Sequence, residues 1–172
     1  MDHKMTPLFT REALAQRVKE LGQQITEDYK GETIIAIGVL KGSIIFLADL
    51  IREIKTPVEV EFIGISSYVG TKSTGEVRIT HDLSREIHDC HVLVIEDIVD
   101  TGNTLDYLID TLSVRKPKSL KIASLLSKPE AHQMEHHLDY IGFEISREFV
   151  VGYGLDLDGR YRELPEIMQI KD

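Results

Sequence analysis

The chain has 172 residues, 42% hydrophobic and 28% charged, with a formal net charge of −9. That length fits one compact domain over residues 1–172. The acidic balance disfavours long-range attraction to nucleic acid or an anionic membrane, both of which need basic surface.

The longest apolar runs, such as Ser43 to Ile51 and Val92 to Ile95, fall short of the roughly 20 residues that cross a bilayer. The opening MDHKMTPLFT has no apolar signal core, so a cytoplasmic location is expected. The single Cys90 has no disulfide partner and reads as a partly buried thiol.

In chain order, Thr10 to Tyr29 carries Leu14, Val18, Leu21 and Ile25 at helical spacing, which predicts an amphipathic helix with a Thr cap, ended by Gly31. The β-branched run Thr33 to Val39 passes through Leu40-Lys41-Gly42 into a helical stretch, Ser43 to Ile54. Val58 to Ile65 reads as a strand. Ser66 to Gly75 (SSYVGTKSTG) is small, polar and aperiodic, so a mobile loop is expected, with Val77 to Thr80 as a short strand closing it like a flap. His91 to Ile98 reads as a buried strand, and Gly102 to Val114 as a helix with Leu105, Leu108, Ile109 and Leu112 inward. Strands at Ser119 to Leu126, Tyr140 to Ile145 and Phe149 to Tyr153 complete an α/β fold, an open and mostly parallel sheet flanked by helices. The His-rich HQMEHH at 132–137 is scattered and reads as a solvated face rather than a metal site.

In such a sheet, ligands sit beyond the carboxyl ends of the strands. In VLVIEDIVDTGNTL those positions hold Glu96, Asp97, Asp100, Thr101, Gly102, Asn103 and Thr104. The adjacent carboxylates are poorly placed for buried unpaired charge but suit ribose hydroxyls and Mg²⁺. The DTGNT that follows suits a phosphate: Gly102 allows close backbone approach, helix-start amides point outward, and two Thr hydroxyls add donors. Asp100 or Thr101 also reads as a helix cap.

That stretch closely resembles the phosphoribosyl diphosphate signature of type I phosphoribosyltransferases. Four others are similar to the hypoxanthine-guanine branch: GVLKGSIIFLADL from Gly38, SSY with STGEVRITHDL from Ser66, LLSKPEA from Leu125, and FVVGYGLDLDGRYRELP from Phe149. The resemblance implies a type I phosphoribosyltransferase fold with a small hood. It also implies transfer of the 5-phosphoribosyl group from 5-phosphoribosyl 1-diphosphate to a 6-oxopurine with Mg²⁺, giving IMP or GMP and pyrophosphate in purine salvage. A homodimer or homotetramer is a further implication.

By the same resemblance, Glu96 and Asp97 would bind the ribose hydroxyls, directly or through Mg²⁺, and Asp100 to Thr104 would wrap the 5-phosphate. Asp100 would also exchange a proton with the purine N7. Lys41, Gly42 and Arg162 would contact pyrophosphate, where the Leu40–Lys41 peptide resembles one that can be cis without a proline. Lys128 would donate to the 6-oxo group, Phe149 would stack on the base, and Val150 would present main-chain groups to its pyrimidine edge. Asp156 would stand by the purine and hold a second Mg²⁺, while Ser67 and Tyr68 lie in the loop that closes over the site. His81 and the Arg147-Glu148 pair depart from commoner family residues, which leaves preference among hypoxanthine, guanine and xanthine open. An RNA-binding attenuation regulator carries a similar signature, but it needs a basic face that a charge of −9 disfavours.

Overall fold

The computed structural model describes residues 4–68 and 76–171. Its elements are β1 (Lys4–Phe9), α1 (Arg11–Asp28), β2 (Ile34–Leu40), α2 (Ile44–Glu53), β3 (Val58–Tyr68), β4 (Glu76–His81) and β5 (His91–Val99), followed by α3 (Asn103–Ser113), β6 (Ser119–Ser127), β7 (Tyr140–Glu144), β8 (Phe149–Val151) and β9 (Ile167–Lys171). Among the described residues no helix is long and apolar enough to cross a membrane.

Helix α1 starts where Thr10 Oγ1 accepts the Ala13 N–H at 3.2 Å. It buries Leu14, Val18, Leu21 and Ile25, and the chain leaves it through Gly31 at φ +82°. The main sheet has the order β4-β3-β2-β5-β6-β7, with β2, β3, β5, β6 and β7 parallel and β4 antiparallel to β3. Alternation along buried strands divides the core in two. Ile34 and Ala36 of β2 join Leu93 and Ile95 of β5 against α1 and α2. Ile35, Ile37 and Val39 join Val92 and Val94 against Leu105, Leu108, Ile109 and Leu112 of α3. The order reverses between β2 and β5, since β3 lies on one side of that pair and β6 and β7 on the other. A crevice at the carboxyl ends of β2 and β5 is therefore where such a fold takes a ligand.

A second, antiparallel sheet of order β1-β9-β8 forms the hood and joins the two ends of the described chain, with Lys4 opposite Lys171. Phe149 to Tyr153, expected in the parallel sheet, supplies β8 here instead. The strand pairs with β9, and Gly152 at φ +95° turns the chain away after Val151. β1 and β9 are additions to the expected elements. The expected loop from Ser66 begins later, because Ser66, Ser67 and Tyr68 pair with Arg78, Val77 and Glu76 of β4. The rest of that loop, 69–75, lies outside the described residues, and of Ser67 and Tyr68 only the backbone is described. On the outer strand β7, Arg17 of α1 donates to the carbonyls of Gly142 (2.8 Å) and Ile141 (2.7 Å).

Helix α1 packs tightly on α2 at Gly22, where a methyl would lie 2.5 Å from Glu53 Cβ and 2.9 Å from its carbonyl carbon. Gly22→Ala is therefore expected to destabilise the fold by about 1–3 kcal/mol despite alanine's better helix propensity, read as a lower urea midpoint at unchanged slope.

Candidate active site

Glu96 and Asp97 follow the buried run Val92–Ile95 of β5 and are half-buried at the crevice. The Asp97 N–H donates to Glu96 Oε1 at 3.0 Å, and the Ile98 N–H to Asp97 Oδ1 at 2.7 Å. Burial first, and then the negative charge of Asp97, hold the Glu96 carboxyl well above the usual carboxylate range. Facing them is the turn after β2, in which the Leu40–Lys41 peptide is cis and Lys41 is exposed. A methyl at Gly42 would run into the Asp97 carboxylate, and one at Gly154, in the hood at φ +101°, would run into the Gly42 carbonyl. Two strand ends and the hood thus meet around Gly42.

Beyond Val99 the chain opens into a hollow of about 160 Å³ lined by Glu96, Asp100, Thr101, Gly102 and Thr104 among others. Gly102, at φ +85°, is the N-cap of α3 and offers no side-chain cap, so neither Asp100 nor Thr101 takes the cap position. Asn103 is exposed, and its N–H meets only Thr101 Oγ1, at 3.5 Å. Unsatisfied amides at a helix start, with Thr hydroxyls beside them, form an anion site. The chain after β6 braces this loop from behind. The Gln133 N–H donates to the Thr101 carbonyl at 2.8 Å, the Glu135 N–H donates to Asp106 at 2.7 Å, and a methyl at Gly102 would lie 2.6 Å from Met134 Cβ.

Lys128, just past β6, places its mostly buried ammonium 3.8 Å from the Asp100 carboxylate, and its N–H donates to the Val99 carbonyl at 2.9 Å. In the hood Phe149 is 50% exposed whereas Val150 is buried. Asp156 accepts the Gly159 N–H at 2.7 Å, as a turn carboxylate does, and also pairs with Arg162 at 3.0 Å. Arg162 donates in turn to the Gly154 carbonyl at 2.7 Å. The bracing Met134 and the Asp156–Arg162 pair are additions to the sequence expectation. Gly152 and Gly154 flanking Tyr153, both at positive φ and in close backbone contact, are a sequence signal of the hood turn that the sequence expectation leaves out. Among the described residues no three His, Cys, Asp or Glu side chains converge as a metal-binding group. The adjacent Glu96 and Asp97 oxygens nonetheless form a donor pair whose shared negative charge a divalent cation would relieve.

Residues 6–158 match the phosphoribosyl transferase domain family. A hypoxanthine-guanine phosphoribosyltransferase of Streptococcus thermophilus is 45% identical over 166 residues, covering 96% of this chain and 92% of that protein. The chain belongs to the hypoxanthine-guanine phosphoribosyltransferase family. It is also 46% identical over 165 residues to the bifunctional protein TilS/HprT of Listeria monocytogenes, of whose length it spans only 26%. A crystal structure of a hypoxanthine-guanine phosphoribosyltransferase from Bacillus anthracis matches with a TM-score of 0.92 at 44% identity, covering 99% of this chain and 100% of that one.

In this member of the family, Glu96 takes up a proton more readily folded than unfolded. Its contribution to stability is complete below the ordinary glutamate value and is lost as pH rises through the raised one. In thermal melts with a metal chelator, Glu96→Gln is expected to exceed the wild type by roughly 2–4 °C at about pH 8 and to coincide with it at about pH 4.

Proposed function

We propose that this chain transfers the 5-phosphoribosyl group of 5-phosphoribosyl 1-diphosphate to hypoxanthine or guanine, forming IMP or GMP and pyrophosphate in purine salvage. The observation that carries this reading is the crevice between β2 and β5, where an acidic pair, an anion nest and a lysine beside Asp100 follow one another. Hydroxyl donors of the ribose would supply what the half-buried Glu96 and its neighbour Asp97 lack. The amides around Gly102 and Asn103, with the Thr101 and Thr104 hydroxyls, would hold the 5-phosphate. Lys41, the Gly42 amide and Arg162 would hold the pyrophosphate.

Glu96, Asp97 and, on the diphosphate side, Asp156 would hold Mg²⁺, which when bound neutralises charge on the leaving group. Phe149 stacks on the base and Val150 reads its pyrimidine edge with main-chain groups, while Asp156 stands beside them. Lys128 donates to the 6-oxo group, which rejects adenine because its 6-amino group is itself a donor. As the bond from N9 to C1′ forms and the bond from C1′ to the diphosphate breaks, Asp100 accepts the proton from N7. Ser67 and Tyr68 belong to the segment that closes over the reacting atoms and keeps water out. Residues 1–172 act as one domain, in the cytoplasm, as a homodimer or homotetramer.

Purified protein given Mg²⁺ and 5-phosphoribosyl 1-diphosphate is expected to make nucleotide from hypoxanthine or guanine and none from adenine or uracil, with chelation of the metal stopping the reaction. Failure of folded protein to make nucleotide from any purine would overturn the reading. Asp100→Asn is expected to slow turnover by about 10²- to 10³-fold, measured as kcat for IMP formation. In base-competition assays, Lys128→Ala is expected to raise the KM for hypoxanthine by roughly tenfold or more while leaving that for 5-phosphoribosyl 1-diphosphate near the wild-type value.

A further inference from the structure

We propose that Tyr153 and Asp49, which stand outside the crevice, form a latch that positions its pyrophosphate side; the inference rests on the transferase reading above. Tyr153 lies in the hood turn Gly152-Tyr153-Gly154 at φ +51°, between glycines at φ +95° and +101°. An aromatic residue holds that left-handed conformation only where its surroundings impose it. They do so here. The Tyr153 N–H donates to the Leu164 carbonyl at 2.8 Å, and the Gly154 N–H to the Arg162 carbonyl at 3.0 Å. The ring is buried in the core that includes Phe46, Leu47 and Leu50 of α2. Its hydroxyl donates to Asp49 of α2, whose other carboxylate oxygen holds Arg52. Burial and the Asp49 carboxylate raise the phenol far above its ordinary range, so the donor stays protonated.

Among the described residues this is the only side-chain hydrogen bond that joins α2 to the hood. Helix α2 follows directly on Lys41, Gly42 and Ser43. On the hood side, the same turn sets Gly154 against the Gly42 carbonyl, where an added methyl would also lie 3.8 Å from Ile45 Cβ, and offers the Gly154 carbonyl to Arg162. The bond therefore spans the two bodies that carry the pyrophosphate contacts, and fixes how far Gly42 stands from Arg162. The buried ring supplies packing; the hydroxyl supplies orientation. Phe149 and Lys128 lie outside this link, so base binding should not feel it.

Tyr153→Phe is expected to raise the KM for 5-phosphoribosyl 1-diphosphate, and the Kd for pyrophosphate with Mg²⁺ in calorimetry, by about tenfold, while the KM for hypoxanthine stays within about twofold. Asp49→Ala should behave alike, the double variant no worse than either, and Asp49→Asn, whose amide carbonyl still accepts the phenol, should recover the wild-type values. Pyrophosphate affinity unchanged in Tyr153→Phe, or an equal loss for both substrates, would overturn the latch. A wild type that binds pyrophosphate but makes no nucleotide would sink the transferase reading alone.

Discussion

Gly42 is wedged between the Asp97 carboxylate and the Gly154 backbone, and the architecture of the crevice depends on that contact. At Gly42 the requirement is space, because a single methyl would displace the carboxylate that ends β5. At Gly154 it is both space and a left-handed backbone, which glycine adopts without penalty. The consequence is direct contact between the end of β2, the end of β5 and the hood, with no side chain to act as a compressible spacer. On the proposed reading, the groups that would meet the ribose and the pyrophosphate are thereby held at one mutual spacing, the condition under which placement alone lowers a barrier.

Electrostatics shape the same place differently. A chain with a net charge of −9 would bind an anionic sugar diphosphate through local arrangements rather than through its overall field. The uncapped amides at the start of α3 are neutral dipoles, which cost no desolvated charge. Lys128 and Arg162 are each matched to a carboxylate, Asp100 and Asp156 respectively. On the proposed reading each exchanges that partner for an oxygen of the substrate, so no bare ammonium or guanidinium waits half-buried between turnovers. Glu96 is the exception: burial and the neighbouring Asp97 charge raise its proton affinity, so the protein alone favours its neutral form.

Much of this was legible in the residues, and the boundary of what was not is physical. Helices with a buried stripe, such as α1 and α3, and strands buried on both faces, such as β5, carry strong patterns because the core decides each position. The DTGNT loop was legible because it must leave amides free. The hood was not. β1 and β9 are short, half-exposed strands at opposite ends of the chain, and neither has a periodicity strong enough to stand apart from loop until the other pairs with it. Ser66 to Tyr68 has the composition of a loop, yet extends β3 because β4 supplies partners. The link from Tyr153 to Asp49 joins residues 104 apart in sequence, and neither residue type announces it.

The position of β8 ties the hood to base recognition. In the order β1-β9-β8 it is an edge strand, so one row of its main-chain N–H and C=O groups has no strand partner. An unpaired edge is ordinarily a liability that a protein covers or keeps short, and this strand is only three residues long. Within it Phe149 turns its ring outward while Val150 and Val151 anchor the strand in the core. An aromatic face beside free backbone donors and acceptors is what a planar heterocycle requires, because stacking tolerates any base and the main-chain groups then select among them. On the proposed reading the purine completes that edge. Discrimination between hypoxanthine and guanine would then rest in part on backbone groups, whose positions are set by packing of the hood, beside the Asp156 and Lys128 side chains.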